Sequence, residues 1–281
     1  MSFIHLLRCK AEPLPQIDAF RATGVSSTVV ADSFLARPTT KVPRGAVWHI
    51  GNTTEMRDNG IFFALGREAV VKSQQFNEGK REFEEVEQAQ APFTVGVYDK
   101  ETQAAGVLVR PGVSLSPREI ATKVQYLLES VGLAQQHNMQ IVVDPIADPQ
   151  GFIEILLSAT RVTRFEFDFS VPNPPDDEKY VQRPLKEYGK RIGATEGKAV
   201  LKGPSLDADE LVDLTRAVAA EGDQATASVE RTPGSGIEKI GLNLNPLKEP
   251  VEPQAHEGTA DAILRALRRA YKRVRGTDGQ S

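Results

Sequence analysis

The chain has 281 residues, 40% hydrophobic and 26% charged, a globular balance with material for one large domain or two modest ones. A net charge of −4 excludes a surface that is basic all round, and the single cysteine, Cys9, excludes an internal disulfide and fits a reducing compartment. The four scattered histidines give no zinc-ligand spacing, no apolar run approaches the roughly 20 residues that span a bilayer, and the first residues lack a signal-peptide pattern, so a soluble cytoplasmic chain is expected.

Residues 3 to 10 read as a strand, and residues 12 to 45 as a proline-punctuated loop with room for a short helix near Ile17 to Ala22. Val47 to Ile50 and Gly60 to Val71 predict a hairpin turned by Asp58-Asn59-Gly60. Residues 74 to 90 mix Glu78, Glu82, Glu84, Glu85 and Glu87 with Phe76, Phe83 and Val86, which suits a solvated strand edge or a short exposed helix. Phe93 to Tyr98 and Ala104 to Val109 predict a second hairpin. Ser116-Pro117-Arg118-Glu119 is a helix start, with a serine cap, proline first and glutamate three after the cap. That helix buries Ile120, Val124, Leu127, Leu128 and Val131. Gln140 to Val143 follows as a strand, and Pro149 to Ser158 as a short helix.

Residues 161 to 171 are the most sharply patterned. Val162 is followed, after one slip, by Phe165, Phe167, Phe169 and Val171 at period two, with Arg164, Glu166, Asp168 and Ser170 between them. Such alternation lines a core with phenylalanine and turns the charges away, until Pro172 stops the strand. A helix from about Arg183 to Ile192, a strand from Lys198 to Lys202 and a helix from Leu206 to Ala220 come next. Ala225 to Arg231 and Ile237 to Leu244 pair around Pro233-Gly234-Ser235-Gly236. Pro246 to Glu257 reads as a linker, and Thr259 as the cap of a last helix reaching Arg275. Hairpins mixed with helices point to an α+β fold of mixed antiparallel sheets with packed helices. Two lobes are expected: 1–91, hairpin-rich, and 92–281, holding the central strand 161–171 and a C-terminal basic amphipathic helix, 259–275.

That last helix is the sharpest polar feature. Ile263, Leu264, Leu267, Ala270, Tyr271 and Val274 make an apolar stripe, flanked by Arg265, Arg268, Arg269 and Lys272, with Arg273 and Arg275 following. Cations so spaced can lie along a phosphate backbone; they also complement a helix dipole and keep an exposed face soluble. A second basic cluster includes Lys186, Lys190 and Arg191. Asp176, then Glu196-Gly197-Lys198, echoes the Mg²⁺-binding spacing of restriction-type nucleases and is kept as the alternative, although acid-x-Lys recurs elsewhere in the chain and Asp176 precedes a helix. Glu166, Asp168 and Asp144 are carboxylates on strand faces, where pairing with Lys or Arg is the ordinary fate. No catalytic residue, metal or small-molecule cofactor is expected under the main reading.

The order of elements resembles the RexA-like phage-exclusion (abortive-infection) proteins. The resemblance rests on the hairpin Val47 to Val71 and the strand–turn–strand–helix Phe93 to Val131. It rests also on the strand, helix and Phe-rich strand Gln140 to Val171 closed by Pro172-Asn173, and on the final amphipathic helix. It covers most of the chain by pattern. It implies a cytoplasmic two-domain homodimer that binds double-stranded DNA with little sequence preference and acts on a membrane-embedded effector partner. A protein-interaction scaffold or toxin-like module, docking through the terminal helix, is the other non-catalytic alternative.

Overall fold

One long strand, β1 (Ser2–Pro13), opens the fold and is buried along nearly its whole length. The computed structural model describes residues 2–14, 25–43, 45–113, 116–171, 181–242, 245–252 and 258–277. Helix α1 (Ser26–Leu35) follows, then β2 (Thr39–Lys41), β3 (Val47–Glu55) and β4 (Gly60–Arg67). Next come two hairpins, β5 (Ala69–Asn77) with β6 (Glu82–Gln90), and β7 (Phe93–Asp99) with β8 (Ala104–Leu108). The middle of the chain supplies α2 (Pro117–Glu129), α3 (Leu133–Gln136), β9 (Met139–Pro145), α4 (Gln150–Ser158) and β10 (Arg161–Ser170). The remainder forms α5 (Gln182–Arg191), β11 (Glu196–Leu206), α6 (Ala208–Glu221), β12 (Ala225–Glu230), β13 (Glu238–Gly241), β14 (Lys248–Val251) and α7 (Thr259–Arg275).

The described strands make three antiparallel sheets, giving the α+β class read from the sequence. One runs β14-β1-β8-β7-β4-β3-β2, with β9 also on β1; one runs β11-β10-β12-β13; and β5 pairs only with β6. β8 lies along one edge of β1, while β14 and β9 share the other edge, at its first and last residues respectively. The expected boundary between 1–91 and 92–281 does not divide the large sheet. β4 and β7, on either side of it, are hydrogen-bonded neighbours, with Ile61 opposite Tyr98. The chain leaves this sheet at the β5–β6 hairpin and returns to it.

Alternate residues of β1 serve two cores. Leu7, Cys9 and Ala11 pack with Val30 and Phe34 of α1 and with Val124 and Leu127 of α2. Ile4 and Leu6 face the other way, into a core shared with Ile263 and Leu267 of α7 and with Phe165, Phe167 and Phe169 of β10. Burying this apolar area, at about 25 cal/mol per Å², is what holds helix layers to both sheet faces.

Local signals are met where expected. Ser116 caps α2, its side chain accepting from the Glu119 amide, with proline in the first turn. The slip after Val162 is a register shift between Val162 and Arg164, a β-bulge that sets the three phenylalanines on one buried face. Three details differ, and one expectation falls outside the described residues. Helix α1 replaces part of the expected loop; its threonine and valines have modest helix propensity, and burial of Val29, Val30 and Phe34 forms it. The helix expected near Ile17 to Ala22 lies outside the described residues. β14 stands inside the expected linker, its Pro250 tolerated opposite Phe3 on a short strand at the sheet's margin. Gly258, not Thr259, occupies the cap position of α7, without a side-chain cap bond.

Candidate nucleic-acid interface

Helix α7 lies with its apolar stripe fully down. Ile263, Leu264, Leu267, Ala270, Tyr271 and Val274 are all buried. Its cations therefore emerge at the margins of the stripe, where several meet carboxylates of the sheet beneath. Arg268 donates through Nε to Asp99 Oδ2 (3.1 Å) and through Nη2 to Asp99 Oδ1 (2.8 Å) and to the Asp58 carbonyl (2.6 Å). Asp99 is wholly buried, so this two-pronged pair fixes the helix on the β7–β8 turn. Arg269 and Arg273 share one carboxylate, Glu249 on β14, at 2.8 and 2.7 Å. Glu249 is 3% exposed, whereas Arg269 and Arg273 remain 58% and 49% exposed. Arg265 and Lys272 are exposed and have no carboxylate partner among the described residues. The outer side of α7 thus carries Arg265, Arg269, Lys272 and Arg273, all with solvent-exposed heads.

The inner end of the helix enters a buried ionic junction. Arg275 donates to Glu221 Oε1 (3.1 Å) and Tyr271 Oη (3.2 Å), and Lys186 of α5 lies 3.5 Å from Glu221 Oε2. Arg275 is nearly buried and Lys186 completely so. These two corrections to the sequence reading have one physical cause. An anion buried at the end of α6 needs compensating cations, and α5 and α7 supply them. The two basic clusters are accordingly tied together at Glu221, while Lys190 and Arg191, in the last turn of α5, stay exposed.

From β1 come Arg8, Lys10 and Glu12, all buried. Lys10 Nζ lies 3.0 Å from Glu12, donates to Ser170 Oγ at 2.9 Å, and reaches Asp223 at 3.5 Å. Burial alone would push Glu221 up, but Arg8, Lys186, Arg275 and Lys10 hold it at about 2. Burial pushes Asp223 up, and Lys10 offsets this only in part, leaving it at about 7. Burial disfavours the Lys10 cation, yet Asp223, Glu12 and Glu221 raise its pKa well above the ordinary value. Lys10 therefore stays charged and cannot take a proton from Ser170, so their contact is a hydrogen bond rather than a base–nucleophile pair. Gly222, at φ +75°, closes α6 here; a Cβ would come within 2.9 Å of the Asp144 Cβ.

Beside the junction opens a cleft of about 590 Å³ lined by Asp144, Asp168, Glu196, Lys198 and Asp223. Of the nuclease alternative, Asp176 lies outside the described residues. Glu196 and Lys198 sit on β11, and the sheet sets Ser170 opposite Glu196 and Asp168 opposite Lys198. Lys198 is spanned by Glu166 (2.9 Å) and Asp168 (3.3 Å), and hydrogen bonds from Arg164 and Lys198 hold Glu166 at about 2. The strand-face carboxylates Glu166 and Asp168 are thus in ion pairs. Among the described residues no three His, Cys, Asp or Glu side chains come together as metal ligands, and no helix is long and apolar enough to cross a membrane. No protein-family model matches the chain, and no curated protein matches it.

The buried junction is not legible in the sequence. Arg8, Lys10 and Glu12 alternate with Leu7, Cys9 and Ala11, which reads as a strand with one wet face. The groups that cover that face come from α6, α7 and β10, more than 150 residues away (Lys10 to Ser170 spans 160 positions).

Proposed function

We propose that the protein is a non-catalytic, non-sequence-specific binder of double-stranded DNA, acting as the sensor of a phage-exclusion (abortive-infection) system. The supporting observation is the outer side of α7, where Arg265 and Lys272 are exposed with no carboxylate partner among the described residues and Arg269 and Arg273 stay about half exposed beside Glu249. Lys190 and Arg191 of α5 add exposed charge, and Arg268 serves to seat the helix. The resemblance in element order to the phage-exclusion proteins supplies the biological setting, including a homodimer, a cytoplasmic location and a membrane-embedded effector.

Neutralising about three phosphates along this side should make log Kd change with log salt with a slope of about 2.7. Affinity should then fall about 40-fold between about 50 and 200 mM salt. Duplexes of unrelated sequence should bind alike and remain intact with Mg²⁺ present. The decisive variant is Arg265→Glu with Lys272→Glu, which leaves every described ion pair in place. Retained affinity and salt dependence in that variant would remove α7 as the contact, and shortened DNA that appears only with Mg²⁺ would favour a nuclease.

A further inference from the structure

The β5–β6 hairpin stands apart from both larger sheets and pairs only with itself, from Ala69 opposite Gln90 to Asn77 opposite Glu82. A two-stranded hairpin alone in water is marginal; three or more strands with a covered apolar face are needed for stability. Opposed residues share a face, so one face carries Val70 with Ala89, Lys72 with Glu87, Gln74 with Glu85, and Phe76 with Phe83. All eight of these residues are exposed, whereas the other face is shielded at every second position. Phe83 is 84% and Val70 69% exposed, and the rings of Phe76 and Phe83 rest against each other at 5.1 Å. Among the described residues, Lys72 and Glu87 take part in no ion pair.

From this we infer that the open face is covered by the same face of a second copy of this chain. A two-fold axis parallel to the strands lays β5 of one protomer over β6 of its partner, an isologous contact in which each rung meets its own reverse. The composition of the rungs makes that contact self-complementary. Lysine meets glutamate twice, glutamine amide meets glutamate, the phenylalanines meet each other, and valine meets alanine. Two stacked hairpins give a four-stranded sandwich at the usual spacing of about 10 Å. The surface is independent of α7 and of the proposed DNA contact.

Charge reversal tests this directly by sedimentation velocity. The native chain should sediment at twice its 30.7 kDa mass. Lys72→Glu places four carboxylates together across the contact, and Glu87→Lys places four ammonium groups there, so each variant alone should shift to the monomer. Mixing the two should restore the dimer, since the paired carboxylates of one hairpin then face the paired ammonium groups of the other, although each hairpin carries like charges within itself. Phe83→Glu should also yield a folded monomer. A monomeric native chain at tens of micromolar, charge-reversal variants as dimeric as the native protein, or a mixture that stays monomeric would each overturn the inference; the first would point to a different protein as the cover.

Discussion

Two groups of cations look alike in the sequence and meet opposite fates. Arg8 and Lys10 on β1, with Lys186 and Arg275, are drawn inside: Lys10 pairs with Glu12 and Asp223, Lys186 and Arg275 pair with Glu221, and Arg8 donates to Tyr271 Oη. Arg265, Arg269, Lys272 and Arg273 on α7 keep their heads in water, with Glu249 paired to Arg269 and Arg273. The difference follows from what lies on the other side of each element. Strand β1, packed on both faces, has no wet side to offer, and the parts of α5 and α7 that carry Lys186 and Arg275 are covered around the buried Glu221, whereas the outer side of α7 faces water. Ionic side chains in the first group act on stability, and those in the second are available to a ligand.

The sharpest way to break this comparison is Glu221→Gln. It removes the carboxylate that Lys186 and Arg275 share and leaves cations buried without it, which should cost about 3–5 kcal/mol in urea unfolding. A cost near zero would mean that water reaches the junction.

The pH dependence tests the same region. The Asp223 carboxyl, at about 7 when folded against an ordinary 3.8, binds its proton more tightly in the fold, so its contribution improves as pH falls from about 7 toward 4. Glu221, at about 2 against 4.5, stabilises above 4.5 and loses that contribution as pH falls toward 2. For these two groups together, stability should peak on the acid side of neutrality, between the two windows. Asp223→Asn should flatten the neutral limb and Glu221→Gln the acid one, as read from urea midpoints.

Glu249→Gln should cost less, about 1.5–3 kcal/mol, because Arg269 and Arg273 are free to rehydrate when their shared carboxylate goes. Arg265→Glu with Lys272→Glu should change stability by no more than about 0.5 kcal/mol, as expected for surface positions without partners. If that double variant unfolded the protein, the outer side of α7 would belong with the buried cations after all.

How much of this is legible in the sequence depends on whether the deciding contacts are local. The Ser116 cap, the alternation and bulge of β10, the two hairpins of the large sheet and the stripe of α7 are all set by residues within a few positions of one another. Helix α1 and strand β14 are not legible, since one depends on packing against the sheet and the other on pairing with β1. For the same reason α7 reads as a helix with six available cations. Its sequence does not show that Asp99, Glu249 and Glu221 wait at the stripe's margins.

The most direct test of the proposed DNA contact is the salt dependence of duplex binding, compared among the native protein, Glu249→Gln, and Arg265→Glu with Lys272→Glu. Releasing Arg269 and Arg273 from their shared carboxylate adds one positive charge to the outer side, so Glu249→Gln should bind more tightly and steepen the slope by about one per bound protomer. The double variant should lose most of both affinity and slope. Identical slopes in all three proteins, or no binding by the native chain at about 50 mM salt, would contradict the assignment of α7 as a phosphate-contacting surface.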